Sequence, residues 1–222
     1  MLHSPAAAFA PSAAATASLA EILGSFSYAL DLTEGQPAGH SLRACWIGTF
    51  VGLAAGMRGQ DLRDCYYAVL LKDLGCSSNA SRVAALFLGD DRRLKNGFKL
   101  IGTQPSDFAA FASVGVGSEG AERDAALSDV LQNAGSYLCE FMDIRCMQGA
   151  TIARRLRFSE SVALGIAGLD EHWDGGGFPC GVAGTAIPLI SRIALLAQVA
   201  DVFLVAEGRE GARREVSARA GS

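Results

Sequence analysis

Histidine is scarce in this chain: three among 222 residues, at positions 3, 40 and 172. A binuclear metal centre rich in imidazole cannot be assembled from that inventory. The six cysteines stand at 45, 65, 76, 139, 146 and 180, and no two form a CxxC pair. Most lie in apolar helical context, as in RACWIG and RDCYYAVLL, so they read as buried free thiols of a reducing compartment rather than a disulfide set. The opening MLHSPAAAFAPSAAATASLA lacks a basic start, since the first arginine is Arg43, and prolines interrupt its apolar run. An ordinary secretory leader is therefore not expected. No later segment is uninterruptedly apolar over roughly 20 residues, so no membrane span is expected and the expected location is cytoplasmic. The net charge of −4 offers no basic surface for a nucleic acid polymer. Alternating strand runs and internal repeats are missing as well.

What is present is helical. Hydrophobic residues make up 50% of the chain, enough for a buried core. Leu19, Ile22, Leu23, Phe26, Ala29 and Leu30 recur at helical spacing until TEGQPAG breaks the pattern. Further helices are predicted over about 40–56, over DLRDCYYAVLLKDLG with Asp61 as its N-cap, over a long stretch of about 121–142, and over QGATIARRLRF. A short helix in SESVALGIAGL opens on a serine cap. The last helix is IPLISRIALLAQVADVFLVAEG. The fold class is all-α, a single bundle-like domain over 19–208. An Ala/Ser/Pro-rich tail precedes it over 1–18, and an Ala/Arg/Glu-rich tail follows over 209–222.

One stretch stands apart, LDEHWDGGGFPCGVAGTAIPL from Leu169 to Leu189. Its glycines permit turns that other residues resist, and Pro179 and Pro188 stiffen the path. Three other pieces precede it in order: GHSLRA with His40 opening a helix, AVLLKDLGC ending one on Lys72 and Asp73, and RCMQGATIARRL. Asp201 then lies deep in the last apolar helix.

This order resembles the HD-GYP subgroup of the HD-domain metal phosphohydrolases, over roughly His40 to Phe203. EHWDGGGFPCGVAGTAIPLISRIALLAQVADVF is similar to that family's loop-and-helix signature. The resemblance implies an HD-domain-like helical bundle. It also implies a cluster of His and Asp ligands for two or three metals, and hydrolysis of cyclic di-GMP by a metal-held hydroxide. Matched to the family's pattern, His40, Asp73 and Asp201 keep ligand positions. Lys72, Arg145 and the pair Leu169 and Asp170 stand where the family has histidines. Gln36 stands at a frequent glutamate, Cys76 at a lysine, and Gly149 at the third motif's glycine. The loop's GYP reads Gly177, Phe178, Pro179.

Two arrangements follow from the substitutions. In the first, Lys72 takes over the electrostatic role of the metal and the old pocket becomes a cluster of salt bridges, because buried carboxylates require counter-charge. In the second, Lys72 points outward and His40, Asp73, Asp170 and Asp201 hold one divalent ion weakly, iron, manganese or magnesium. A protein without any such ion is the equal expectation. Asp73 and Lys72 are the candidates for any residual catalysis. Trp173, Asp174, Gly175, Gly177, Phe178, Pro179 and Arg192 form a candidate loop for substrate or partner, with Trp173 and Phe178 closing it onto the bundle. In the family this loop docks partner domains, diguanylate cyclases among them. The resemblance therefore implies a degenerate, catalytically impaired domain of bacterial signalling that binds a partner domain or a cyclic dinucleotide. The alternatives are a phosphohydrolase with an unusual one-metal site and a helical interaction scaffold. A homodimer stays open, as does the chain being a piece of a longer protein.

Overall fold

The computed structural model describes residues 17–100, 105–117 and 119–221. Most of the N-terminal tail, and Ser222, lie outside the described residues. Among the described residues ten α-helices follow in order: α1 (Leu19–Thr33), α2 (His40–Ala54), α3 (Gly59–Leu70), α4 (Ala80–Phe87), α5 (Asp91–Phe98), α6 (Pro105–Gly115), α7 (Gly120–Gln132), α8 (Ala134–Arg155), α9 (Glu160–Ala167) and α10 (Leu189–Ala218). No strand occurs among the described residues. The chain is all-α, as its periodicity requires.

Helix starts follow local chemistry. Ser18 Oγ accepts the Glu21 N–H at 3.2 Å while the Glu21 carboxylate takes the Ser18 N–H at 2.7 Å, a reciprocal cap that begins α1. Ser159 caps α9 in the same sense, accepting from Val162 N at 3.2 Å. The expected cap at Asp61 is not observed. α3 starts two residues earlier at Gly59, with Arg58 in the extended capping position, and Asp61 lies in the first turn, where an acid favours the helix dipole.

The predicted long helix over 121–142 is divided. α7 stops at Asn133, whose side chain turns back to the Asp129 carbonyl and carboxylate at 3.1 and 2.8 Å. That local competition with the helical ladder ends α7, and α8 then runs unbroken through what had read as a separate helix at QGATIARR.

Two hydrophobic clusters result. The larger gathers α1, α2, α3, α9, α10 and the second half of α8 around residues such as Leu70, Ala150, Ile166 and Ile193. Glycines let its helices approach: a Cβ at Gly165 would overlap Ile190 and crowd Ala68. The smaller gathers α4 to α8 around Phe87, Leu94, Val130 and Phe141. The 3₁₀ turn at Cys76–Asn79 leads from α3 into α4, the first helix of the smaller cluster. Gly75 at its start lies against α8 so closely that a Cβ there would collide with the Arg145 carbonyl and the Gly149 amide.

α10 is the one described helix long and apolar enough, by length and composition, to cross a membrane, which departs from the expectation drawn from run length. Arg192 and Asp201 interrupt its apolar run, and half of its most apolar window is buried within the bundle. Gly208, at φ 75°, breaks this helix, and residues 209–218 continue it in a new direction.

The glycine contacts predict a contrast. Gly75→Ala should lower stability by more than about 2 kcal/mol, because backbone cannot yield. Gly24→Ala in α1, with open space at its Cβ, should raise it by about 0.5–1 kcal/mol. Urea unfolding of both variants measures the difference; equal effects would contradict the close approach of the turn and α8.

Candidate functional site

The site forms because α1 fixes the start of α2. The buried Asp31 carboxylate accepts the Gly39 N–H at 2.7 Å, the Ser41 N–H at 2.9 Å and the Ser41 hydroxyl at 2.7 Å. It caps the next helix from a distance, and so sets the position of His40 in the first turn.

His40 is fully buried. Its Nδ1–H donates to Asp201 Oδ2 at 2.7 Å, and its Nε2 faces Lys72 Nζ at 3.1 Å. Burial and the Lys72 charge push the imidazole down to about 4, against the pull of Asp201. The ring is therefore neutral, with one nitrogen donating and the other accepting. Arg43, one turn along α2, grips Asp201 with two bonds of 2.7 and 3.1 Å. Burial raises the Asp201 carboxyl, but His40 and Arg43 outweigh it and hold it below the usual range.

Lys72 follows the end of α3 and is among the most buried side chains of the protein. Its Nζ contacts Asp73 Oδ2 directly. Burial lowers the ammonium from the ordinary lysine range while the Asp73 carboxylate opposes that shift. Asp73 Oδ1 meets a second ammonium, Lys99 Nζ, at 3.8 Å, and Lys99 forms an ion pair with Glu34 at 2.6 Å. Burial would raise Asp73; Lys72, Lys99 and Arg145 together hold it well below the carboxylate range. Glu34 is lowered too, burial being outweighed mainly by Lys99. Arg145, in the middle of α8, reaches Asp170 at 3.2 Å. Burial disfavours its charge, yet Asp170 and its other neighbours hold it well above its ordinary value.

The structure thus brings His40, Lys72, Asp73 and Asp201 into one chain of contacts. Asp170 is engaged by Arg145 instead, and Lys72 points inward. Glu34, Arg43 and Lys99 had no place in the sequence reading. Arg43 lies three residues from His40 on the same helix and could have been found from that spacing. Glu34 and Lys99 are 65 residues apart, and no local pattern links them. Gln36, matched to the family's glutamate, donates to Asn96 at 3.3 Å.

The glycine-rich loop has its own anchor. Glu171 is buried, and its two carboxylate oxygens accept the N–H groups of Cys180 at 2.8 Å and Val182 at 2.7 Å. Phe178 N–H returns to the Asp170 carbonyl at 2.9 Å, and Gly184 N–H to the Trp173 carbonyl at 2.9 Å. Asp174 turns the tip by accepting the Gly176 N–H at 2.8 Å. Gly175 takes a left-handed φ of 83°. A Cβ on Gly177 would run into the backbone of Asp170, Glu171 and His172. Pro179 follows Phe178 through a cis peptide bond. Trp173 remains 44% exposed, with the Arg192 guanidinium 5.5 Å from its ring centroid.

Residues 139–218, from α8 through the loop to α10, match the HD domain family. The chain is 47% identical over 205 residues to the 3′3′-cGAMP-specific phosphodiesterase 3 of Vibrio cholerae; the match covers 91% of this chain and 45% of that protein. A crystal structure of the cyclic GMP-AMP-specific phosphodiesterase of V. cholerae superposes with a TM-score of 0.66 at 44% identity, covering 91% of this chain and 45% of that one. The helical fold and these matches define an HD domain. Over nine-tenths of its length the chain is related to these phosphodiesterases, and it spans under half the length of the relative it matches.

The family implies divalent metal, and the donors here fit one poorly. Glu34, Asp73 and Cys76 place ligand atoms within 4.8 Å of one another. Lys99 already bonds Glu34 and faces Asp73, and Lys72 holds the other Asp73 oxygen. Burial, then Glu34, keeps the Cys76 thiol protonated far above the usual range. Both nitrogens of the one central imidazole are engaged. A cation entering would have to displace ammonium groups that are themselves buried.

Two predictions follow. Lys72→Met should cost about 3–5 kcal/mol by leaving Asp73 buried with half its counter-charge, and Lys72→Met with Asp73→Leu should recover much of that. Denaturant midpoints of the two variants decide; a double variant no better than the single one would contradict the pairing. The second concerns pH. Below about 6.5 the unfolded chain protonates His40, while the folded one resists to about 4. Stability should therefore fall as pH drops across that window, by up to about 3 kcal/mol. Asp73 and Asp201, lowered when folded, add their loss only below about 4. His40→Gln should flatten the slope between pH 6.5 and 4 in urea titrations.

Proposed function

We propose that this chain is a cyclic-dinucleotide signalling domain of the HD-GYP type whose centre has exchanged metal for lysine, and which binds a nucleotide or partner domain rather than hydrolysing phosphate. The observation that carries this reading is the buried Lys72 ammonium, seated between His40 Nε2 and the Asp73 carboxylate. A phosphohydrolase of this class needs an open Lewis acid to hold phosphate and generate hydroxide near neutral pH. An ammonium provides charge but no hydroxide. The relative's activity on cyclic GMP-AMP supports a cyclic dinucleotide as the ligand class. The loop, built on Glu171 and independent of the centre, supports retention of a binding role.

A second reading keeps the activity. It rests on the Glu34, Asp73 and Cys76 group, the cluster among the described residues that could accept one ion if Lys99 swung away.

Protein purified without chelator should contain far less than one equivalent of iron, manganese or magnesium by elemental analysis. It should leave 3′3′-cGAMP and bis(p-nitrophenyl) phosphate intact, while calorimetry records saturable nucleotide binding. Stoichiometric metal together with turnover that Asp73→Asn abolishes would establish the second reading instead. Neither turnover nor nucleotide binding would leave an interaction scaffold.

A further inference from the structure

We propose that the groove between the glycine-rich loop and the end of the chain binds a small amphipathic anion, a carboxylate or phosphate head on an apolar body. The groove encloses about 400 Å³, within the range of small-molecule sites. Trp173 and Ile187 line its loop side, Leu196 and Val199 of α10 its floor, and Val216, beyond the Gly208 break, its far wall. The walls are predominantly apolar.

Among the described residues, one cation in it carries a buried donor without a hydrogen-bond partner. Arg192 Nε is buried without a hydrogen-bond partner, and the contact of the guanidinium is the face of Trp173 at 5.5 Å. The acid that also lines the groove, Glu171, has both oxygens committed to the amides of Cys180 and Val182. Arg219 at the far end is held by Glu215 at 2.7 Å. A guanidinium among apolar walls, with a buried N–H to satisfy, suits a ligand that brings an acceptor oxygen and an apolar tail. No residue of the charged centre lines the groove.

Trp173 can report occupancy, because the chain has two tryptophans and the other, Trp46, is exposed on α2. In a Trp46→Phe background, Trp173 emission is titrated with decanoate and with decyl phosphate below their micellar concentrations, and with decan-1-ol as the uncharged control. Both anions should give a saturable change, with the alcohol at least about tenfold weaker. Arg192→Met should weaken the anions by about tenfold and leave the alcohol unchanged. Leu196→Phe, which fills the floor without touching charge, should weaken all three. The proposal is overturned by an alcohol that binds as tightly as the anions, by the absence of a saturable response, or by an Arg192→Met protein of native melting behaviour that binds decanoate unchanged.

Discussion

The centre of this protein depends on the contact between the Lys72 ammonium and the Asp73 carboxylate, both of them buried. Each group is costly to bury alone, and each is tolerated through the other. The remaining arrangement follows outward from that pair. His40 accepts from the lysine with one nitrogen and donates to Asp201 with the other, which fixes its tautomer. Arg43 completes the charge balance at Asp201, and Lys99 does so for Glu34. Helices α1, α2, α5 and α10 and the turn after α3 are tied to one another by polar contacts that none could make alone. Such a network favours one arrangement over its competitors, since shifting any element strands a buried charge.

The fold was largely legible in the sequence, because periodicity and caps are local. The spacing in α1, its end at TEGQPAG, the serine cap of α9 and the long apolar period of α10 all act within a few residues. The errors came where a side chain competed with the backbone. Asn133 ended α7 through bonds to Asp129, and a helical pattern does not carry that information. Asp61 offered a capping residue type three positions beyond the observed cap at Arg58.

The site was legible in part, for a different reason. His40, Lys72, Asp73, Arg145 and Asp201 could be singled out because they sit in motifs that resemble a family pattern. Glu34 and Lys99 could not, because a buried ion pair between distant segments leaves no trace in either. Asp170 was grouped with the others by motif order, and Arg145 takes it instead. The scarcity of histidine was the most telling compositional feature, and the structure places the single central imidazole between a carboxylate and an ammonium.

Glu171 deserves comparison with the residues on either side of it. Its carboxylate serves as an internal brace for the loop and needs nothing from the charged centre to do so. Substitutions at His40, Lys72 or Asp73 can therefore leave this brace of the loop in place.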